Sequence, residues 1–392
     1  MSRKTIKCRP ITCGPNFHWF GYYDKFQFDP FDRYVLGMEV EFEHRSPNLE
    51  DEIKIGMVDI NDGYCWSELG KSRAWCWQQG CMLQWRPGSN SEIIWNDREN
   101  GRYICHILNV HTKEKRTLPC AIYTISPDGQ TALGTDFRRI NHLRPGYGYA
   151  GLPDPNQDVL APKNSGIYRI NLNTGEHEVI LSIADIVKIP NPNKNTKGAK
   201  HYFNHLLFSP DGSRFIFLHR WRLANENRFF TRMFTSSLDG SDVRVINDYG
   251  MTSHFIWRDP NHILAWTDHP LHKPAFYIYK DGSREVEVVG RDIMIKDGHV
   301  SYLPENKWVI NDTYPDKQQN NKELYLYNIQ TKQKITLAKL HDSEAYTGEW
   351  RCDFHPRCSR GGSKVVIDSV HEGKGRQMYL LDIGDIVKEV KS

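Results

Sequence analysis

HLLFSPDGSRFIFLH, residues 205–219, is the stretch that decides the fold. It reads as a short apolar strand, a Ser-Pro-Asp-Gly turn and a second apolar strand. Pro presets φ for the turn and Gly accepts the positive φ that a tight hairpin needs. The same pattern recurs toward the N-terminus as KFQFDPFDRYVLGME from Lys25, MLQWRPGSNSEIIWND from Met82 and IYTISPDGQTALGTD from Ile122. Toward the C-terminus it recurs as HFIWRDPNHILAWTD from His254, HVSYLPENKWVINDT from His299 and HPRCSRGGSKVVIDS from His355, making seven copies. A second hairpin follows, as in IYRINLNTGEHEVIL (167–181), TSSLDGSDVRVI (235–246) and LYLYNIQTKQKITL (324–337). Two linked hairpins make one four-stranded antiparallel blade, which covers its faces only by stacking on its neighbours. The repeat therefore predicts an all-β chain, a seven-bladed β-propeller forming a single domain over residues 1–392.

The copies align on their fourth residues, Phe28, Trp85, Ile125, Phe208, Trp257, Tyr302 and Cys358. The gap from Ile125 to Phe208 is far longer than the others and predicts insertions near 138–166 and 184–200. Long structured loops on a rigid scaffold are often functional. The fragment RRINHLRPGYGYAGLPDP (138–155) mixes Arg, His and Tyr in a way that suits a sugar or carboxylate; a merely solvated loop is the plainer alternative. Helix is expected only as short turns such as Ile183 to Val187. The strand-like TIKCRPIT (5–12) is expected to pair with the last blade, which lacks an outer strand after Ile383.

The 392 residues are 39% hydrophobic and 12% aromatic, which argues for a folded chain. A net charge of +3 offers no clustered basic footprint, so no nucleic-acid partner is expected. No apolar run is long enough to span a bilayer, so no membrane partner is expected either. Nine cysteines without a CxxC pair suggest reduced, mostly buried thiols. The first ten residues lack the apolar stretch of a secretory signal. Both features set the expectation of a cytoplasmic protein. No nucleophile elbow, P-loop or dinucleotide fingerprint is present.

The candidate site comes from the first position of the repeat, which is His205, His254, His299 and His355 in the last four copies. Innermost strands line a propeller's channel, so these imidazoles should converge at one level as a divalent-metal or proton-transfer site. A ring of hydrogen-bonded structural histidines is the alternative. Asp353 lies two residues before His355 and projects to the same side. The run from His18 to Lys25 adds His18, Tyr22, Tyr23 and Lys25, whose polar tips suit an anionic sugar; plain strand tyrosines are the other reading. At His219-Arg220-Trp221-Arg222 an imidazole beside two guanidinium groups could act as a base next to a bound carboxylate, or be an exposed strand end.

At these residues the sequence resembles the oligogalacturonate lyases, seven-bladed propellers, and also propeller lyases of uronic-acid glycans such as the ulvan lyases. Tyr22-Tyr23-Asp24-Lys25 stands where that family has aromatic-Tyr-Gln-Lys. His205 matches the His-Pro that opens its fourth blade. Phe217-Leu218-His219 matches its Phe-Cys-His, whose His is the proposed base. Ser253-His254-Phe255-Ile256-Trp257 matches Thr-His-Glu-Phe-Trp, with a ligand His, and Gly298-His299-Val300 matches Ser-His-Leu. Trp350-Arg-Cys-Asp353-Phe-His355-Pro356 stands where the family has a Gln followed by His-Pro-His-Pro. Two departures are Trp350 and Asp353 for a Gln and a His ligand, and Arg220-Trp221-Arg222 for Glu-Gly-Pro.

The resemblance implies a glycan lyase that cleaves a uronic-acid-containing oligosaccharide by β-elimination with a divalent transition metal, Mn or Zn. It implies His219 as base, with His205 or Tyr23 next in line. His254, His355 and Asp353 would be metal ligands, with His299 completing the set. Lys25, His18, Tyr22, Arg220 and Arg222 would bind the acidic oligosaccharide. Two alternatives stand beside it. One is a propeller glycoside hydrolase on uronic-acid or rhamnose-containing glycans, with Asp24 and Asp353 as its only carboxylates near the channel. The other is a non-catalytic propeller that binds a glycan or a protein.

Overall fold

The computed structural model describes residues 6–223 and 228–389. Seven four-stranded antiparallel sheets follow one another along the chain, confirming the propeller. Blades 1 to 6 run from Phe17 to Ser72, Gln84 to Leu118, Thr124 to Ser182, Lys200 to Gly250, Thr252 to Val289 and Ser301 to His341. Blade 7 takes three strands from Arg357–Cys358, Lys364–Ser369 and Gln377–Asp382, and its outer strand from Cys8–Pro10 near the N-terminus. Cys8 faces Leu381 and Pro10 faces Tyr379, so the ring closes as the TIKCRPIT stretch predicts. Thr5 of that stretch lies outside the described residues.

The repeat register holds residue by residue. Its fourth positions pair across the first hairpin as Phe28–Val35, Trp85–Ile93, Ile125–Ala132, Phe208–Phe215, Trp257–Ile263, Tyr302–Val309 and Cys358–Val365. The core lies between blades. Val366, Met378 and Leu380 of blade 7 pack in one cluster with Leu36, Met38 and Ile53 of blade 1 and with Trp85 and Trp95 of blade 2. Both faces of a blade are covered this way, which is why inner strands such as Phe215-Ile216-Phe217 are apolar without alternation.

At the first repeat position the inner strand leaves its ladder. The pairing of blade 4 shifts between Asn204 and Leu207, and that of blade 5 between Thr252 and Phe255. Met82, His205 and His355 have φ of 58°, 52° and 42°, the left-handed region that side chains rarely adopt. Such bulges re-aim side chains and gather at functional sites.

Both insertions are ordered. Helix α1 (Phe137–Leu143) is capped by the Asp136 side chain, and α2 (Ile183–Lys188) by Ser182. A third helix, α3 (Gly384–Glu389), follows blade 7. Only α2 was anticipated. In α1 the apolar residues Phe137, Ile140 and Leu143 span too few turns to show a helical period. All nine cysteines are free. No helix among the described residues is long and apolar enough to cross a membrane.

Candidate active site in the propeller channel

The loop after the first inner strand of blade 1 carries two tyrosines into the centre. Gly21 sits at φ 98°, where an added Cβ would meet the Gln79 backbone at 2.9 Å, so glycine is needed to turn the chain. Around Tyr22 and Tyr23 the four repeat histidines converge. Tyr22 contacts the rings of His205 and His355 at 4.9 and 5.4 Å, and Tyr23 those of His254 and His299 at 5.8 and 5.4 Å. His299 stands 4.2 Å from His254 and 4.1 Å from His355. The bulged strands explain how residues of separate blades meet at one level.

His299, Asp353 and His355 are all buried and bring one ligand atom each within 4.8 Å of the others. Asp312 accepts the His299 ring Nδ1–H at 2.9 Å, which leaves Nε2 as the free nitrogen. The Nε2 atoms of His299 and His355 are buried without a partner among the described residues. Two orphaned imidazole nitrogens beside a carboxylate fit a divalent transition metal better than Ca, which prefers oxygen throughout. His254, predicted as a ligand, stands outside this triad. Its Nδ1 faces Asp297 at 3.0 Å, and its ring lies 4.2 Å from that of His299.

The local field differs from one histidine to the next. Burial disfavours the charged His299, but Asp312 and Asp353 overrule it and raise its pKa. Burial and the neighbouring His299 push His355 well below its ordinary value. For Asp353 burial acts upward, yet Arg351 and His299 hold the carboxyl below the usual range. Burial lowers His205 to about 4 despite Asp24. A neutral His205 then donates Nε2–H to Asp24 at 3.2 Å and accepts the Tyr22 hydroxyl at Nδ1, 3.4 Å away. This places a phenol, an imidazole and a carboxylate in series.

Several predicted residues are engaged elsewhere. Lys25 pairs with Asp24 at 2.9 Å, both side chains buried, and is not a free carboxylate binder. The Tyr23 hydroxyl donates to the Phe255 carbonyl at 2.8 Å and accepts the Phe255 N–H at 3.0 Å, so its hydrogen bonds are spent on the fold. His18 lies outside the cluster, between Gln377 and Glu39, with its ring on Trp66. His219 requires the largest correction. Its strand continues to Arg222, so it is fully buried mid-strand and not at an exposed end. It faces His201 at 2.9 Å and Arg232 at 3.2 Å beneath the α2 insertion. Among the described residues its ring meets those of His201, Phe203, Trp221 and Phe234, and none of the channel cluster.

The structure also adds residues. Arg351 binds Asp353 at 2.7 Å and donates to the Tyr147 hydroxyl at 2.6 Å. Tyr314 flanks His254 and His299 with ring distances of 6.3 and 5.9 Å. Two signals were available in the sequence. Five of the seven copies carry Asp as their last or next-to-last residue, among them Asp312, and Arg144 and Tyr147 lie inside the 138–155 fragment. Nothing marked Arg351, Asp297 or Tyr314.

Fold and site together define a seven-bladed propeller with a buried histidine–carboxylate centre in its channel. No protein-family model and no curated protein sequence matches the chain. Among solved structures it is similar to the oligogalacturonate lyase of Vibrio parahaemolyticus, with a TM-score of 0.67 and 15% identity over 97% of this chain and 95% of that one. It is also similar to the β-propeller domain of the trilobed protease of Pyrococcus furiosus, with a TM-score of 0.52 and 10% identity over 93% and 94% of the two chains. The chain thus resembles the oligogalacturonate lyases in architecture, and at these identities the likeness is one of fold.

Proposed function

We propose that this protein is a glycan lyase that cleaves a uronic-acid-containing oligosaccharide by β-elimination in the propeller channel. The observation that carries the reading is the buried His299–Asp353–His355 centre with its two orphaned imidazole nitrogens, set beside the Arg351–Tyr147 wall. The proton next to a sugar carboxylate is weakly acidic, so that carboxylate must be neutralised before the proton can leave. His299, Asp353 and His355, with His254 alongside, would hold a divalent transition metal, which would supply that neutralisation as a Lewis acid when bound. Arg220 and Arg222, at the end of the strand Arg214–Arg222, would bind acidic groups of the oligosaccharide.

Proton transfer falls to Tyr22, His205 and Asp24. As the Tyr22 oxygen takes the substrate proton, its own proton passes to His205 Nδ1, and Asp24 stabilises the imidazolium that forms. The C–H electron pair becomes the new double bond and expels the 4-linked oxygen, which takes a proton from water, and the imidazolium later returns its proton to solvent. The Tyr22–His205 separation of 3.4 Å is of the kind that tightens once substrate is bound. Asp24 already pairs with Lys25 and His205, and Asp353 with Arg351, which favours the lyase over a hydrolase built on those two carboxylates.

The test is a panel of uronic-acid oligosaccharides incubated with metal-loaded protein and followed by ultraviolet absorbance of the conjugated, unsaturated product. Absorbance that grows with at least one member and is lost in Tyr22→Phe is expected. Release of reducing ends without that absorbance would replace the lyase by a hydrolase. Binding without cleavage of any member would leave a glycan-binding propeller.

A further inference from the structure

The first insertion brings two residues beside the centre: Tyr147 accepts from Arg351, the partner of Asp353, and Arg144 lies over the Tyr147 ring. Tyr149 stacks on Phe137 of α1 at 4.1 Å, and Gly148 lies so close to the helix that an added Cβ would fall 2.1 Å from Asn141 N. This packing presents Arg144 and Tyr147 to the end of the long hairpin of blade 4. The Arg144 guanidinium lies 3.8 Å over the Tyr147 ring and 4.6 Å over Phe229. Arg220 lies 4.7 Å over the same Phe229 ring. Two cations therefore share one aromatic side chain.

Their polar atoms are unmatched. Arg220 is 4% exposed, yet its Nε and Nη1 have no hydrogen-bond partner among the described residues. The hydroxyl of Tyr202, 1% exposed, is in the same condition, as is Nη1 of Arg144. Leaving a buried donor without a partner is costly, and more so for a charged group. A buried arginine and a half-buried one over the same Phe229 ring, with the unpaired Tyr202 hydroxyl on the strand position opposite Arg220, suit an oxyanion.

We propose that Arg144, Tyr202 and Arg220 form a second anion subsite, which takes a carboxylate or sulfate on the sugar unit next to the one at the His299–Asp353–His355 centre. Tyr147 joins the two, since its ring carries Arg144 and its hydroxyl accepts from Arg351. The substrate is then an oligosaccharide with acidic groups on two adjacent units, and this assignment rests on the channel being a glycan site. A chain with a single acidic unit fills only one of the two subsites.

The experiment has two arms on the full chain. In the first, chelator-treated wild type, Arg144→Gln, Arg220→Met and Arg220→Lys are melted in sulfate and in chloride at equal ionic strength. A saturable, sulfate-specific rise in Tm is expected for wild type, lost in Arg144→Gln and Arg220→Met and partly kept in Arg220→Lys. No sulfate-specific rise in wild type, or an equal rise in all four proteins, overturns the subsite. Arg220→Met keeps the bulk of the side chain, and Arg144 is only half-buried, so one variant stands in if the other does not fold.

In the second arm, calorimetry compares digalacturonate, a sulfated uronate disaccharide and each with one acidic group removed. The diacids should bind about tenfold tighter than their monoacid counterparts, the advantage vanishing in Arg220→Met. The preferred diacid tells carboxylate from sulfate. Arg220-dependent diacid binding without unsaturated product keeps the subsite and removes the lyase. Cleavage with no difference between diacid and monoacid keeps the lyase and removes the subsite.

Discussion

Asp312 holds His299 at two points, accepting its backbone N–H at 2.6 Å and its ring Nδ1–H at 2.9 Å. The same carboxylate accepts the backbone N–H of His355 at 3.2 Å, tying the inner strands of blades 6 and 7 together. One side chain thereby sets the His299 tautomer and the spacing of the two histidines. Its counterpart in blade 7, Asp368, receives the Phe20 and Gly21 amides and Arg357 in the same way.

Asp312→Asn should weaken Mn or Zn binding about 10- to 100-fold, the usual effect of removing an outer partner of a ligand histidine. Calorimetric titration of chelator-treated protein measures it, and Asp353→Asn should cost more because it removes a ligand. Unchanged affinity in both variants would place the metal elsewhere.

Tyr22→Phe should lower kcat about 10²- to 10⁴-fold with little change in KM, because it removes a proton-transfer group and not a binding contact. Tyr23→Phe should instead lower stability by about 1–3 kcal/mol, since it strips both partners from the buried Phe255 peptide. Urea unfolding and steady-state kinetics on the same pair of variants separate the two roles.

His219→Ala should act on the fold. The ring joins His201 to Arg232, and Arg232 in turn holds the Ile186 and Ile189 carbonyls of the α2 segment. A loss of about 2–4 kcal/mol is expected from the broken buried network and the space left behind. A variant that is normally stable but inactive would return His219 to the chemistry.

Stability should fall as pH drops from 6.5 toward 4. Burial lowers His201 and His205 from 6.5 to about 4, so the folded state keeps both neutral while the unfolded chain takes up protons. Each then stabilises the fold fully above pH 6.5, by something on the order of 3 kcal/mol, and ceases to do so once pH passes below about 4. Asp24, held at about 2 by Lys25 and His205 against the opposing effect of burial, extends the loss below pH 4. Urea midpoints across this range check the slope, and His205→Gln should flatten it.

Gly148→Ala should disable the second anion subsite while leaving the blades intact. The new methyl would fall 2.1 Å from Asn141 N and 2.4 Å from the Phe137 carbonyl, so the segment bearing Tyr147 must move off α1. The sulfate-specific rise in Tm should shrink while far-ultraviolet circular dichroism stays that of wild type. A variant that binds sulfate normally would show that Arg144 does not depend on this packing.

The architecture was legible because each blade is a local object. Its turn chemistry and apolar strands lie within one hairpin, and the same hairpin is written seven times, down to the pairing of Phe208 with Phe215 and its six equivalents. The four histidines were legible for the same reason, since equal repeat positions become equal heights in the channel. What remained hidden depends on contacts that no repeat encodes. His219 and His205 both looked available in the sequence, but one is sealed under α2 and the other is bound between Tyr22 and Asp24. Lys25 is paired with its own neighbour Asp24, and Arg351 joins Asp353 to Tyr147 of the first insertion, a link no repeat encodes. Strand and turn propensities act over a few residues, whereas burial, ion pairing and the tautomer of His299 are set by side chains from other blades. Those partners are assembled only when the ring closes.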